Sequence, residues 1–403
     1  MSNPYPLSIY EIQAGRLPGW ANEPIMLTIP AGSVTGVLED FPAMVKLSGS
    51  SGKTSADVSK VFTALGSDAN RKRICVTASD GLTPCYVEIK EWSTATQTAF
   101  LWVRVPRINP GEDTHLYLYY DPLHAEMTDY VGDTASETAW NVWNDGYKFV
   151  GIKPSGGQLL DSTRNQNHGT IYGATEVDGP LGACLSFDGV DDYGVIPASS
   201  TLDMGGKSFS VQTLFRTDRT VASERLILEH GVWAGAGVYQ LASMGDGALR
   251  FFGVGDIICA DYRPDYAGAW HDVWGVLDQQ AAASYLYYDG GVGTVAPGST
   301  GISSSGAVPT YLCSRAGAGL FLDCNLALVS ISSTPRSPAW IAATNAALRD
   351  DLIVYSDPGA PLTLAAYADA YDYLSWTRRY RRPGAWKAQI NRYLPAAKEF
   401  IPG

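Results

Sequence analysis

The feature that most constrains this chain is the shape of its apolar runs. They are short, and a cluster of Gly, Pro, Asn, Asp or Ser closes each one. In the first third they fall at 25–29, 41–47, 74–77, 86–89, 100–105 and 116–120. Contiguous or alternating runs of this length, bounded by turn residues, are the pattern of β-strands rather than of amphipathic helices. In Phe100-Leu101-Trp102-Val103-Arg104-Val105, apolar and aromatic residues fill both faces, which predicts an inner strand of a sandwich. Pro106 and the Asn109-Pro110-Gly111 turn then stop it. Composition agrees: among 403 residues there are 42 Gly, 23 Tyr and 23 Pro, and only 17% are charged. That profile suits turn-rich β architecture, and the length suits two domains with extra segments.

The runs divide the chain. Residues 1–126 form a β-rich, sandwich-like domain, and 127–150 form a polar bridge whose Trp140, Trp143 and Tyr147 need burial against a neighbour. Residues 151–356 form a second strand-rich module that ends with strand 326–332 and an Ala-rich helix near 338–348. Asp357-Pro358-Gly359 breaks the pattern. The remaining tail, 357–403, places Leu364, Tyr367, Tyr371 and Leu374 at helical spacing, and Trp386, Ile390 and Leu394 beyond Pro383-Gly384. The fold class expected is therefore mainly β, two β-sandwich modules with a short C-terminal helical tail.

Charge and cysteine usage exclude several function classes. The net charge of −12 argues against a general nucleic-acid binder, which needs clustered Lys and Arg against phosphate. No basic n-region opens the chain and no run of about 18 apolar residues occurs, so neither Sec export nor membrane insertion is expected. Cys75, Cys85, Cys184, Cys259, Cys313 and Cys324 show no CxxC pairing, which predicts free buried thiols rather than zinc ligands. Catalytic signatures also fail: there is no G-x-S-x-G elbow and no H-E-x-x-H. Ser51-Gly52-Lys53-Thr54 mimics the end of a phosphate loop, but its required first glycine falls on Leu47. No E-x-D-x-E pattern supplies the paired carboxylates of a glucanase. No catalytic residue is expected.

Ordered motifs in the second module resemble the laminin-G-like branch of the concanavalin-like lectin and glucanase superfamily. They are the 161–170 stretch Asp-Ser-Thr-Arg-Asn-Gln-Asn-His-Gly-Thr, then Phe187-Asp188-Gly189-Val190-Asp191-Asp192-Tyr193, Trp270-His271-Asp272-Val273 with Leu286-Tyr287-Tyr288-Asp289-Gly290, and Val329-Ser330-Ile331-Ser332 with Arg336-Ser337-Pro338-Ala339-Trp340-Ile341. The resemblance implies a jelly-roll sandwich. Where that family usually carries Asp-Glu before the closing Val, this chain has Ala327-Leu328. The first module is similar to an uncharacterised domain often found ahead of laminin-G-like modules in surface and phage proteins. Leu38-Glu39-Asp40-Phe41-Pro42, Leu101 to Pro106 and Asp113 to Tyr120 carry that likeness.

Three sets of candidate site residues follow. Asp161, Asn165, Asn167, Asp188 and Asp191 offer the hard oxygens that Ca²⁺ takes, against the alternative that they are turn formers. Trp233, Tyr239, Tyr262 and Tyr266 lie in Gly-rich stretches and are candidates to stack on sugar rings, against the alternative that they plug a core. Trp376, Arg378, Arg379, Arg381, Arg382 and Trp386 form a basic aromatic cluster expected to dock the tail on an acidic neighbouring subunit. The expectation for the whole is a phage-type virion structural protein, tail-associated, that presents its concanavalin-like module to a host glycan or surface receptor. Its expected partners are other virion proteins and further copies of itself, with no nucleic acid and no membrane insertion. The alternatives are a capsid decoration or minor structural protein with a purely assembly role, and a glycan-cleaving enzyme. Particle incorporation without glycan binding marks the first, and released reducing ends mark the second.

Overall fold

The computed structural model describes residues 17–357 apart from 144–145, 219–222, 234, 236, 254–259, 263 and 300. The expected tail helices, with Trp376, Arg378, Arg379, Arg381, Arg382 and Trp386, lie outside the described residues, as does Cys259. Among the described residues the chain is mainly β with two α-helices.

The first module comprises β1 (Ile25–Ile29), β2 (Leu38–Leu47), helix α1 (Lys60–Leu65), β3 (Ile74–Thr77), β4 (Val87–Ser93), β5 (Thr98–Ile108), β6 (Thr114–Tyr120) and β7 (Val131–Asp133). The second comprises β8 (Tyr147–Ser155), β9 (Gln158–Asp161), β10 (Gly169–Tyr172), β11 (Thr175–Gly179), β12 (Gly182–Asp188), β13 (Tyr193–Ile196), β14 (Phe209–Arg216), β15 (Arg225–His230) and β16 (Tyr239–Ser243). It continues through β17 (Leu249–Gly253), β18 (Ala260–Tyr262), β19 (Trp270–Asp278), β20 (Ala283–Tyr288), β21 (Gly291–Pro297), β22 (Thr310–Leu312) and β23 (Asp323–Ser332). Helix α2 (Pro338–Leu348) and β24 (Val354–Tyr355) follow.

The sheet order corrects the expected boundary at 356. The first module's two sheets are β2-β5-β4-β7 and β24-β1-β6-β3, so the strand that closes the described chain belongs to the first module. Leu27 pairs with Tyr355 and Thr28 with Val354. Helix α2 returns with it: Trp340, Ile341, Ala343, Ala347 and Leu348 share one core with Phe41, Val45 and Leu101. The second module is thus inserted into the first. Ser337 starts the returning helix because its hydroxyl accepts from the Trp340 amide at 3.2 Å and Pro338 occupies the first turn, where its missing N–H costs nothing. The Ser51-Gly52-Lys53-Thr54 stretch is a turn packed on this return. Gly52 sits at φ +67, and a side chain there would meet the Ile353 carbonyl at 2.3 Å.

The bridge is also shorter than expected, because β8 begins at Tyr147 and pairs with β23. Its Trp143 is buried and packs on Trp102 with ring centroids 4.8 Å apart.

In the second module one continuous antiparallel ladder folds over on itself. The front half runs β18-β17-β16-β15-β22-β13-β10-β9, and the back half runs β8-β23-β14-β19-β20-β21. Phe149, Phe187, Phe209, Tyr239, Phe251 and Ile331 fill the space between the halves. The outer face of the back half is buried as well, since Val150, Leu214, Trp274, Val276, Tyr287 and Leu328 join the first module's core. Burial on both faces means that even the polar residues of β14, β19 and β23, among them Gln212, Asp272 and Ser330, are buried and must find hydrogen-bond partners within the layers. The chain therefore stacks four β layers, and the outermost front face points away from the first module.

Polar groups fix the seam between the modules. Glu88 is buried there, accepting from the Ser162 hydroxyl at 2.7 Å and from the Trp143 indole N–H. Burial raises its carboxyl above the ordinary range, and those donors pull it back. Lys90 reaches across to donate to the carbonyls of Leu181 and Ala183, and burial lowers its ammonium to about 8. Cys75, Cys85, Cys184, Cys313 and Cys324 are buried and unbridged.

Candidate ligand site on the front face

The exposed face of the front half carries a pocket of about 340 Å³, lined by Glu224, Trp233, Met244, Arg250, Phe252 and Arg315. Strand pairing builds its floor. Glu229 on β15 lies opposite both Tyr311 on β22 and Gln240 on β16, and Gln240 lies opposite Phe252 on β17. Residues directly opposite in an antiparallel pair share a face, so these four form one row. A register shift between Leu226 and Leu228 resets the alternation of β15, leaving Leu228 in the core and Glu229 on the outer face.

Two loops supply the walls. Gly231, at φ +77, turns the chain after β15, and Trp233 follows in a turn closed by the Gly235 amide on the Val232 carbonyl at 2.9 Å. The indole is 45% exposed, with its edge against Phe252 at a centroid separation of 5.3 Å. Arg315 comes from a tight turn in which its amide donates to the Gly319 carbonyl at 2.7 Å. Gly317 permits that turn: its φ is +66, and a Cβ there would lie 2.7 Å from the Tyr193 ring.

The pocket's charges converge on Arg315. Its Nε donates to Glu229 Oε1 at 3.1 Å, its NH2 to Glu224 Oε1 at 3.3 Å, and its guanidinium stands 5.8 Å from the Trp233 ring centre. Gln240 Nε2 also donates to Glu229 Oε1. Both side chains are fully buried beneath Arg315, and a hydrogen bond from the Trp233 backbone also favours the charged form of Glu229. Burial raises the Glu229 carboxyl above its ordinary value, and Arg315 offsets part of that rise. An exposed indole flanked by Glu224 and Arg315 can take a ligand that offers an apolar ring face and hydroxyl groups.

The structure separates the four aromatics proposed as ring platforms. Tyr239 is fully buried, stacks on His230 at 4.6 Å and donates to the Leu202 carbonyl at 3.3 Å. Tyr266 is fully buried, with its hydroxyl 2.6 Å from that of Ser243. Both plug the inner core, Tyr239 from an inward-facing position of β16 and Tyr266 from the segment between β18 and β19, where each buries more apolar surface than it would at a rim. Tyr262 is half-buried, packed on Tyr288 and over Gly293. Trp233 is the member of the set in the pocket. Sequence patterning gave no sign of Arg315, Glu229 or Gln240. A charged or amide residue inside an apolar strand was the available signal.

The proposed metal ligands fall into two separate groups. Asp161 is buried, and its oxygens accept from the amides of Val150, Thr163 and Asn167 and from the Thr163 hydroxyl, at 2.8–3.1 Å. Burial raises this carboxyl and the donors counter it. Asn165 and Asn167 donate to the Lys148 carbonyl, at 3.0 and 3.2 Å. These residues knit a loop, since Asp and Asn in a turn are drawn to nearby amides. Asp188 and Asp191, both exposed, form a second group with the buried Asp192, their carboxylate oxygens within 4.8 Å of one another and Asp188 Oδ1 accepting from the Val190 amide at 2.8 Å.

Comparison with known proteins agrees with this architecture. The sequence profile of the concanavalin A-like lectin/glucanases superfamily matches residues 188–342, and that of a domain of unknown function (DUF2341) matches residues 70–141. The chain thus contains a concanavalin-like module preceded by that domain. No curated protein matches it. Among solved structures, the binding domain of Paraclostridial Mosquitocidal Protein 1 is similar at 13% identity and a TM-score of 0.41, over 50% of this chain and 52% of that one. The receptor binding domain of botulinum neurotoxin D gives 10% and 0.40 over 50% and 52%. The binding domain of botulinum neurotoxin DC in complex with SialylT gives 12% and 0.40 over 51% and 52%. The chain spans about half the length of these structures.

Proposed function

We propose that this chain is a non-catalytic attachment protein that uses the front face of its concanavalin-like module to bind a surface glycan. The observation that carries the reading is the exposed Trp233 indole standing beside Arg315 and Glu224 in the front-face pocket, a flat apolar ring flanked by a guanidinium and a carboxylate. Glu224 can accept from a sugar hydroxyl and Arg315 can donate to one, and both line the pocket. The indole offers a flat apolar surface to the C–H face of a pyranose. Arg315 neutralises both nearby carboxylates, which suits binding better than hydrolysis, where two carboxyl groups must act across a bond.

The setting we propose is a virion, with the protein tail-associated and its basic tail docked on neighbouring virion subunits. The pairing of the two modules and the contrast between an acidic body and a tail rich in Arg support it.

The test is binding of the full-length protein to a glycan array and to host cells, beside Trp233→Ala, with reducing ends assayed in the same wells. Saturable binding lost in the variant is expected. Absence of binding to any surface would overturn the reading in favour of an assembly role. Release of reducing ends would replace it with hydrolysis in which Glu229, raised by burial, acts as the acid.

A further inference from the structure

The seam between the modules is close-packed where Glu88 and Lys90 cross it, yet at the α2 end it opens into a cleft of about 330 Å³. Voids beyond the size of a water are few in a well-packed interface, and a space this large holds on the order of ten waters. Its lining mixes two chemistries. Trp270, Leu214, Leu348, Met44 and Pro180 supply apolar surface, and Lys46, Asn345, Arg349 and Asp350 supply a polar wall interleaved with it.

The polar wall is neutralised from within. Lys46 pairs with Asp350 at 3.5 Å, and Arg349 pairs with Asp289 at 2.8 Å. These side chains keep partial access to solvent, 29% for Lys46 and 21% for Asp350. A free anion or cation would have to displace a partner already in place. A neutral ring with several hydroxyls would not, because it can donate to Asp350 and Asn345 and accept from Lys46 while its C–H face lies on Trp270.

We propose that this cleft is a second saccharide site, distinct from the Trp233 pocket, that takes a neutral pyranose ring. It rests on the reading of the chain as a glycan binder and adds a site formed by both modules: Met44 and Lys46 come from β2, Leu214 and Trp270 from β14 and β19, and the remainder of the polar wall from α2 and the turn after it. Only the inserted arrangement of the modules brings these residues together.

The experiment titrates full-length protein with methyl glycosides of glucose, galactose, mannose and N-acetylglucosamine, using saturation-transfer NMR and calorimetry. The proteins are the wild type, Trp233→Ala, Lys46→Ala and Asn345→Ala. Two independent sites are expected in the wild type and one in Trp233→Ala. Lys46→Ala and Asn345→Ala are expected to weaken that remaining site at least tenfold while leaving Trp233-dependent binding unchanged. One site in the wild type that disappears in Trp233→Ala would overturn the cleft and leave the front-face pocket standing. One site that survives Trp233→Ala but is lost in the Lys46 and Asn345 variants would do the reverse. Calorimetric unfolding of each variant separates lost binding from lost fold.

Discussion

The two outer faces of the inserted sandwich each carry a row of buried polar side chains, and the rows are built to opposite ends. On the back face Asp272 accepts from Gln212 Nε2 at 2.7 Å and from Trp274 Nε1 at 2.9 Å, and Gln212 Oε1 accepts from Ser330 at 3.1 Å. That row is closed, with each acceptor filled from within the module. On the front face Glu229 Oε1 accepts from both Gln240 and Arg315, and Arg315 carries the row outward to the exposed Trp233. A closed buried network specifies how two layers pack, whereas one that runs out to a partly exposed guanidinium and an exposed indole reaches the surface, where a ligand can join it. The back row meets the first module and the front row meets nothing in the described chain.

The largest test of this contrast is pH. Burial raises Asp272 to about 7, above the value of an aspartate in an unfolded chain. Its contribution therefore favours the fold fully below about pH 4 and is lost as pH rises through about 7, a span on the order of 4 kcal/mol. Urea unfolding across that range is expected to show this slope in the wild type and a flat contribution in Asp272→Asn, which mimics the protonated acid. A variant with the wild-type slope would break the idea that the back row is closed around a neutral Asp272.

Asp161 extends the comparison to a second closed network. Asp161→Ala leaves three backbone amides without their acceptor and is expected to cost about 3 kcal/mol by urea unfolding. The same cost is expected with Ca²⁺ and with EDTA, and a cost that appears only with Ca²⁺ would make the loop a cation site.

Front-face substitutions should behave in the opposite way. Trp233→Ala is expected to change stability by less than about 0.5 kcal/mol while weakening glycan binding by about 2 kcal/mol, roughly thirtyfold. Smaller still, Glu229→Gln keeps the shape of the floor but loses the charge that holds Arg315, and about a tenfold weaker binding is expected in calorimetry. A stability loss in either variant as large as that of Asp161→Ala would show that the front row is structural after all.

Local pattern carried most of the architecture. Alternation and turn chemistry placed the strands, because a strand needs only a repeat of two and a stop. Ser337-Pro338 marked the start of α2 for a similarly local reason. The candidate site was legible only at Trp233, an aromatic in a Gly-rich loop. Tyr239 and Tyr266 present the same local signal, but strand phase turns Tyr239 inward and the segment between β18 and β19 folds Tyr266 onto Ser243 and Phe215, contacts that leave no trace in the residues themselves.

What the sequence determined alone is therefore the class of fold, two β-sandwich modules with free thiols and loop-forming Asp and Asn residues, since each follows from neighbours within a few positions. What tertiary structure decided is the insertion of one module into the other, the four-layer stack, and the meeting of Trp233 with Glu229 and Arg315. Arg315 lies 86 residues from Glu229 in the chain. Contacts of that span depend on register and on which faces find apolar partners, and those are properties of the assembled layers rather than of any segment.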